Sequence, residues 1–166
     1  MDPIAYAPSP AHDPILADWY LQAIQAGELH RIVRPVGQAL GGFLAAFRPP
    51  TRLYYTVDDA GVRLAAWGSP WGDGCALGVW IRPDQRRHRG VLLGEGQAAI
   101  RAVLEHWPIG FAIVTQERLL RTYTRCGVQF APLAIPGLRD GPAFLGWVTA
   151  ATFGYRRGRH GLACAA

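Results

Sequence analysis

Arg86, Arg87, His88 and Arg89 occupy four consecutive positions, after the apolar run CALGVWI and Pro83 and just before Gly90. Guanidinium groups are permanent, forked donors, so this run has the chemistry of an anion site. The segment from Val91 onward reads as a helix. A helix start adds unpaired backbone N–H groups and about half a positive charge. Acids are favoured there, so basic side chains are locally unfavourable unless an anion compensates them. A solvated basic turn is the competing reading. With a second apolar strand and a helix ending Tyr123-Thr-Arg-Cys-Gly127 close behind, the order suits a phosphorylated cofactor. Metal chemistry is not expected, because the five His are scattered and Cys75, Cys126 and Cys164 lack any CxxC spacing. An odd number of cysteines, two of them in apolar segments, fits a reducing compartment.

These residues need elements to hold them. The chain has 166 residues and is 50% apolar, which predicts one domain over 1–166 that buries roughly 68–70% of its unfolded surface. All seventeen basic residues are Arg, against twelve acids, a net charge of +5 that favours anionic partners. There is no basic leader at the start and no run of eighteen apolar residues, so a soluble, cytoplasmic protein is expected.

The part spanning 1–50 reads as a short strand, Ile4 to Ala7, and two helices. The first opens at Asp13-Pro14, buries Ile15, Leu16, Trp19, Tyr20, Ala23 and Ile24 on one face, and stops at Gly27. The second runs from about Val36 to Phe47 and ends at Pro49-Pro50. The part spanning 51–128 is a central sheet with a helix. Arg52 to Val57 and Val62 to Trp67 form a hairpin, SPWGDG is a loop, and Ala76 to Ile81 is a central strand covered on both faces. Val91 to Trp107 is the helix after the basic turn, Ile109 to Val114 a strand, Glu117 to Arg125 a short helix capped by Gly127. Val128 to Ile135 and Ala143 to Thr149 close a hairpin within 128–155, and 156–166 is a basic tail.

This order of elements resembles the GNAT superfamily of N-acetyltransferases. The resemblance implies an α+β fold: a mixed, mainly antiparallel central sheet of six to seven strands flanked by about four helices. In that family the fourth strand, ending here at Ile81, leads into a turn of the form Arg/Gln-x-x-Gly-x-Gly/Ala that holds the pyrophosphate of acetyl-CoA. Arg87-His88-Arg89-Gly90-Val91-Leu92 is similar to it, with Leu92 where a small residue is usual. A second family motif, N-x-x-A-x-x-L-Y-x-x-x-G-F, is met by Gln116, Leu119, Thr122, Tyr123, Gly127 and Val128. Carried over, Arg87 to Leu92, Ile81 and Gln116 are cofactor-binding. Tyr123 is the acid that protonates the leaving thiolate, unless it is simply packed on the sheet. A base for the acceptor amine is wanted near the fourth or fifth strand; CALGVWI and FAIV contain no carboxylate, and Asp73 and Glu117 are nearest in sequence.

Two functions follow from the resemblance. One is an acyltransferase moving an acetyl group from acetyl-CoA to an amine. The other is a non-catalytic GNAT-like structural or assembly protein working with other protein subunits, loosely similar to internal virion proteins of short-tailed phages. Nucleic acid is not an expected partner, since no recognition helix or aromatic and basic RNA-binding motif is present.

Overall fold

Alternating side chains give each strand of the Arg52 to Trp71 region two unlike faces, and the molecule covers the two faces with different helices. The structure, a computed structural model, describes residues 1–33, 38–88, 90–134 and 142–154, and only the backbone at 92 and 118. The chain begins with β1 (Ile4–Ala5), α1 (Asp13–Gln25), α2 (Leu29–Ile32) and α3 (Leu40–Ala46). Three strands follow, β2 (Arg52–Asp58), β3 (Gly61–Trp71) and β4 (Gly74–Ile81). A 3-10 turn (Pro83–Arg87) and a π-helical segment (Val91–Gly96) lead into α4 (Gln97–Leu104). The chain then forms β5 (Gly110–Val114), α5 (Glu117–Arg125), β6 (Gln129–Leu133) and β7 (Ala143–Val148).

The seven strands lie in one sheet of order β1-β2-β3-β4-β5-β7-β6. All neighbours are antiparallel except β4 and β5. The α+β class and the mixed, mainly antiparallel sheet are therefore as expected, with five α-helices among the described residues.

Leu53, Tyr55, Ala65 and Trp80 point to the face carrying α1, α2 and α3, which for brevity is the front. There Trp19 is fully buried, with its ring 5.0–5.9 Å from those of Phe43, Phe47, Trp67 and Trp80. Leu64, Ala66 and Cys75 point to the back, against Val91, Ala99, Val103, Leu104 and Cys126 of the later helices. Each fully buried Leu or Phe contributes about 1.5–3 kcal/mol by leaving water, so two such clusters hold the sheet from both sides.

Several boundaries differ from expectation. The second helix is shorter, Leu40–Ala46, and α2 is an additional turn; residues 36–37 of the expected helix lie outside the described ones. SPWGDG is mostly strand: Ser69, Pro70 and Trp71 pair with Ala76, Cys75 and Gly74, leaving only Gly72-Asp73 as turn. The expected helix from Val91 is π-helical for its first six residues and ends at Leu104. The 135–141 connection and the 155–166 tail lie outside the described residues, and with them Cys164. Among the described residues, Cys75 and Cys126 are free and buried, no helix is long and apolar enough to cross a membrane, and no group of three His, Cys, Asp or Glu could hold a metal ion.

Candidate active site

The strands β4 and β5 run parallel and pair at Cys75 with Gly110 and at Ala76 with Phe111. Beyond that point the pairing ends, and Leu77 to Ile81 continue without β5 beside them. A gap therefore opens toward the C-terminal end of β4. It accounts for the exposure of Val79 in a strand at the middle of the sheet, where coverage on both faces was expected; Ala76, still paired with Phe111, is exposed as well. Trp80 does not fill it: its ring is buried at the front against Trp19.

The chain leaving β4 is fixed by Arg82. Its guanidinium takes Asp58 in a bidentate pair at 2.7 and 2.8 Å and Asp84 at 2.8 Å, and the backbone N–H of Arg82 donates to the Arg63 carbonyl. The hydrogen bond from Arg82 brings the Asp84 carboxyl down to about 2. Sequence reasoning missed this residue; a lone Arg before Pro83 gives no local sign that its partner lies 24 positions away.

The basic run is divided by the 3-10 turn. Arg87 and His88 are exposed, but Arg86 turns aside, donating from Nε to the Ile81 carbonyl at 2.9 Å and from its terminal nitrogen to Glu28. The expectation of one four-residue cluster is corrected: Arg86 already has an anion, and it is a carboxylate of this chain. Arg89 lies outside the described residues, as does the side chain of Leu92.

At Gly90 the backbone is helical, and no side chain caps the segment that follows. Val91 N–H donates back to the His88 carbonyl. A π turn holds one residue more per hydrogen-bonded ring than an α turn and recurs at functional sites. Glu95 secures it, accepting from Thr56 Oγ1 at 2.9 Å and pairing with Arg63 at 3.1 Å. Gly90, Gly94 and Ala98, four residues apart and exposed, line an open cleft of about 610 Å³ with His88 and Arg63. No residue of β4, β5 or α5 is part of its lining, so this cleft is on the β3 side of the helix and is distinct from the gap.

The helix α5 starts at Gln116 and places Glu117 at its exposed first turn. Tyr123 is half-buried, and burial followed by the nearby Cys126 thiol pushes its phenol above the usual range. Cys126, one turn on, belongs to the same apolar cluster as Ile81 and Val91. Thus the end of β4, the start of the helix and Cys126, just after α5, pack into one cluster. Glu117 is not part of that convergence, being about 9 Å along the helix axis from Tyr123 at 1.5 Å per residue. Asp73 is in the turn before β4, at the end opposite the gap.

No protein-family model and no curated protein matches the chain. Solved structures do. A point variant of the spermidine N-acetyltransferase of Vibrio cholerae aligns over 91% of this chain and 96% of its own, at 10% identity and a TM-score of 0.64. An aminoglycoside acetyltransferase in complex with coenzyme A and kanamycin aligns over 91% and 96%, at 14% identity and 0.60. A GNAT-family acetyltransferase of Staphylococcus aureus aligns over 87% and 97%, at 11% identity and 0.55. The chain has the GNAT fold. Likeness at these identities concerns architecture, and the looser resemblance to phage virion proteins gains no support from it.

Within the GNAT fold one carboxylate stands out that the sequence did not reveal. Glu28, 7% exposed, follows Gly27, whose φ of +66° ends α1 in a conformation that glycine adopts freely. It accepts from Trp80 Nε1 at 3.1 Å, from Arg86, and from Arg31 at 3.3 Å. Burial alone would raise its carboxyl, but the hydrogen bond from Arg86, with those charges and Trp80, holds it below the ordinary value. It ties the first helices of the GNAT fold to the end of β4. Because the folded-state value is depressed, this contribution is present above the unfolded value of about 4.3 and is lost as pH falls through the folded one. Glu28→Gln is expected to cost about 1–2 kcal/mol near neutral pH. Thermal melts of the two proteins should converge as pH is lowered below about 4; a constant separation down to pH 3 would show that the charge contributes nothing.

Proposed function

We propose that the protein is an acetyl-CoA-dependent N-acetyltransferase acting on a primary amine. The observation that carries this reading is the parting of β4 from β5 after Ala76 and Phe111, with an uncapped helix start at its head. Residues present fit the cofactor: Val79 is exposed along the gap, Trp80 is turned to the other face, and a Cβ at Gly90 would meet nothing within 4 Å. Gly90 and the Leu92 backbone would hold the pyrophosphate through N–H groups and the helix dipole, with Val91, whose N–H is taken by the His88 carbonyl, shaping the turn and Arg87, His88 and Arg89 adding charge. Ile81 and Gln116 would flank it.

When bound, acetyl-CoA would supply the acetyl thioester for transfer to the amine; Tyr123 would hold the proton that the leaving sulfur takes, and the proton of the amine would pass to solvent. The phenol carries its proton at neutral pH, and burial raises its value further. Glu117 is retained as a candidate base acting through water. Support at the level of fold comes from neighbours described as a spermidine N-acetyltransferase and as an aminoglycoside acetyltransferase with coenzyme A.

The test is Gly90→Glu. The backbone there has φ −62° and open space around it, so a side chain is tolerated by the fold. A carboxylate at the helix start should abolish micromolar acetyl-CoA binding in calorimetry while leaving the melting temperature within about 2 °C, a surface-type change. Failure of the unaltered protein to bind at millimolar cofactor would refute the reading.

A further inference from the structure

The front helices do not cover the whole front of the sheet. Among the described residues, the cluster under α1, α2 and α3 draws on β2, β3 and β4 and includes nothing from β5, β6 or β7. Side-chain alternation continues the face beyond β4. On β5, Gly110 faces Leu104 and Cys75 at the back, so Phe111 and Ile113 point to the front. Their registered partners on β7 are Trp147 and Leu145. Trp71, at the end of β3, packs edge-on against Phe111 with ring centroids 4.9 Å apart. Ile113 is 59% exposed and Trp71 52% exposed. Ile113 lies beyond the last β4–β5 pair, Ala76 with Phe111, and so borders the gap, while Trp71, registered with Gly74, marks the far end of the shelf.

Its charge is as informative as its shape. β4, β5, β6 and β7 contain no Asp, Glu, Lys or Arg. The buried carboxylate nearby, Glu28, is already committed to Trp80, Arg86 and Arg31. On these strands a polycation would lose water without gaining a counter-charge; the nearest acids in sequence, Asp73 in the turn after Trp71 and Glu117 after β5, lie outside them, and the net +5 of the chain would repel it. An aromatic or aliphatic body would instead bury apolar area on Trp71, Phe111, Ile113 and Leu145 at about 25 cal/mol per Å².

We infer that the acceptor is a primary amine carried on an aromatic or apolar body, seated on the Trp71–Phe111–Ile113–Leu145 shelf with its amino group at the gap, rather than a polyamine or an aminoglycoside. This rests on the acetyltransferase reading, and the experiment separates the two. Transfer rates are measured for 2-phenylethylamine, tryptamine, spermidine and kanamycin, and calorimetry of 2-phenylethylamine is run on the protein alone and with acetyl-CoA. The aromatic amines are expected to exceed the polycations in kcat/KM by about tenfold or more. Ile113→Asp, at an exposed position the fold tolerates, should lower the aromatic kcat/KM about tenfold while cofactor affinity stays the same; Trp71→Ala should weaken aromatic binding in the same direction. Polycations as the better substrates, or aromatic binding that neither variant changes, overturns the inference. Aromatic amine binding that both variants weaken in a protein that binds no acetyl-CoA supports the shelf and removes the acetyltransferase reading instead.

Discussion

Tyr123→Phe is expected to lower kcat by 10²- to 10⁴-fold, the usual range for loss of a positioned general acid, or about 3–5 kcal/mol of barrier. The ring keeps its half-buried place on α5, so the melting temperature and acetyl-CoA affinity should hardly change. Separating these readouts distinguishes chemistry from packing, since a Tyr that merely fills space on the sheet would leave turnover intact. The pH dependence adds a second check. An acid must carry its proton, and activity is lost as pH rises through its value. Burial moves the Tyr123 phenol above its ordinary value near 10, so no decline attributable to it is expected between pH 7 and 9. Steady-state assays with both proteins over that range decide the matter, and an unaltered kcat in the variant would remove Tyr123 from the mechanism.

Gly127→Ala is expected to be among the most damaging single substitutions for stability. The residue has φ +87°, and an added Cβ would stand 2.1 Å from the Thr152 carbonyl oxygen and 2.9 Å from its carbon. Both groups are backbone and neither can swing away. The segment is also stitched in place, with Gly154 N–H donating to the Cys126 carbonyl and Val128 N–H to that of Tyr123, at 3.0 and 3.1 Å. Left-handed backbone costs roughly 1–2 kcal/mol for a residue with a Cβ, and the overpacking roughly 1–3 kcal/mol more. A sum near 3–4 kcal/mol corresponds to a fall of roughly 6–16 °C for a chain of this size. A melt shifted by less than about 2 °C would contradict the geometry. Because the same glycine ends the helix bearing Tyr123, the variant should also lose turnover at temperatures where it is still folded.

The sequence was most readable where local signals were strong. Glu117–Arg125 was bounded correctly because Gly127 marks its end and its apolar residues recur at helical spacing. The strand into Ile81 was clear from its continuous apolar run. Other features depend on contacts that leave no local mark. Pro70 reads as a strand breaker, yet it sits near the end of β3, where the two-residue turn at Gly72-Asp73 closes the hairpin beside it. The π segment, with Leu92, Leu93, Gly94 and Gly96, has the same apolar spacing as an α-helix would. Glu28 was missed altogether, because its partners Trp80 and Arg86 come from 52 and 58 residues away. Likewise, Arg86 seemed part of an anion site until its position showed which anion it serves.

The two-register seam between β4 and β5 also bears on how the molecule moves. Eight registers join β3 to β4 and five join β5 to β7, but only two join the halves of the sheet to each other. Each half is an antiparallel leaf, and apart from the short β1–β2 edge, which also has two, the seam between them is the joint with the fewest registered pairs. Backbone pairing thus resists a parting of the leaves about Cys75 and Gly110 least, and the back cluster shared by Cys75, Leu104 and Val148 holds them together instead. A molecule lodged in the cleft of that joint would work as a wedge, setting the angle between the leaves and with it the tilt of the aromatic shelf.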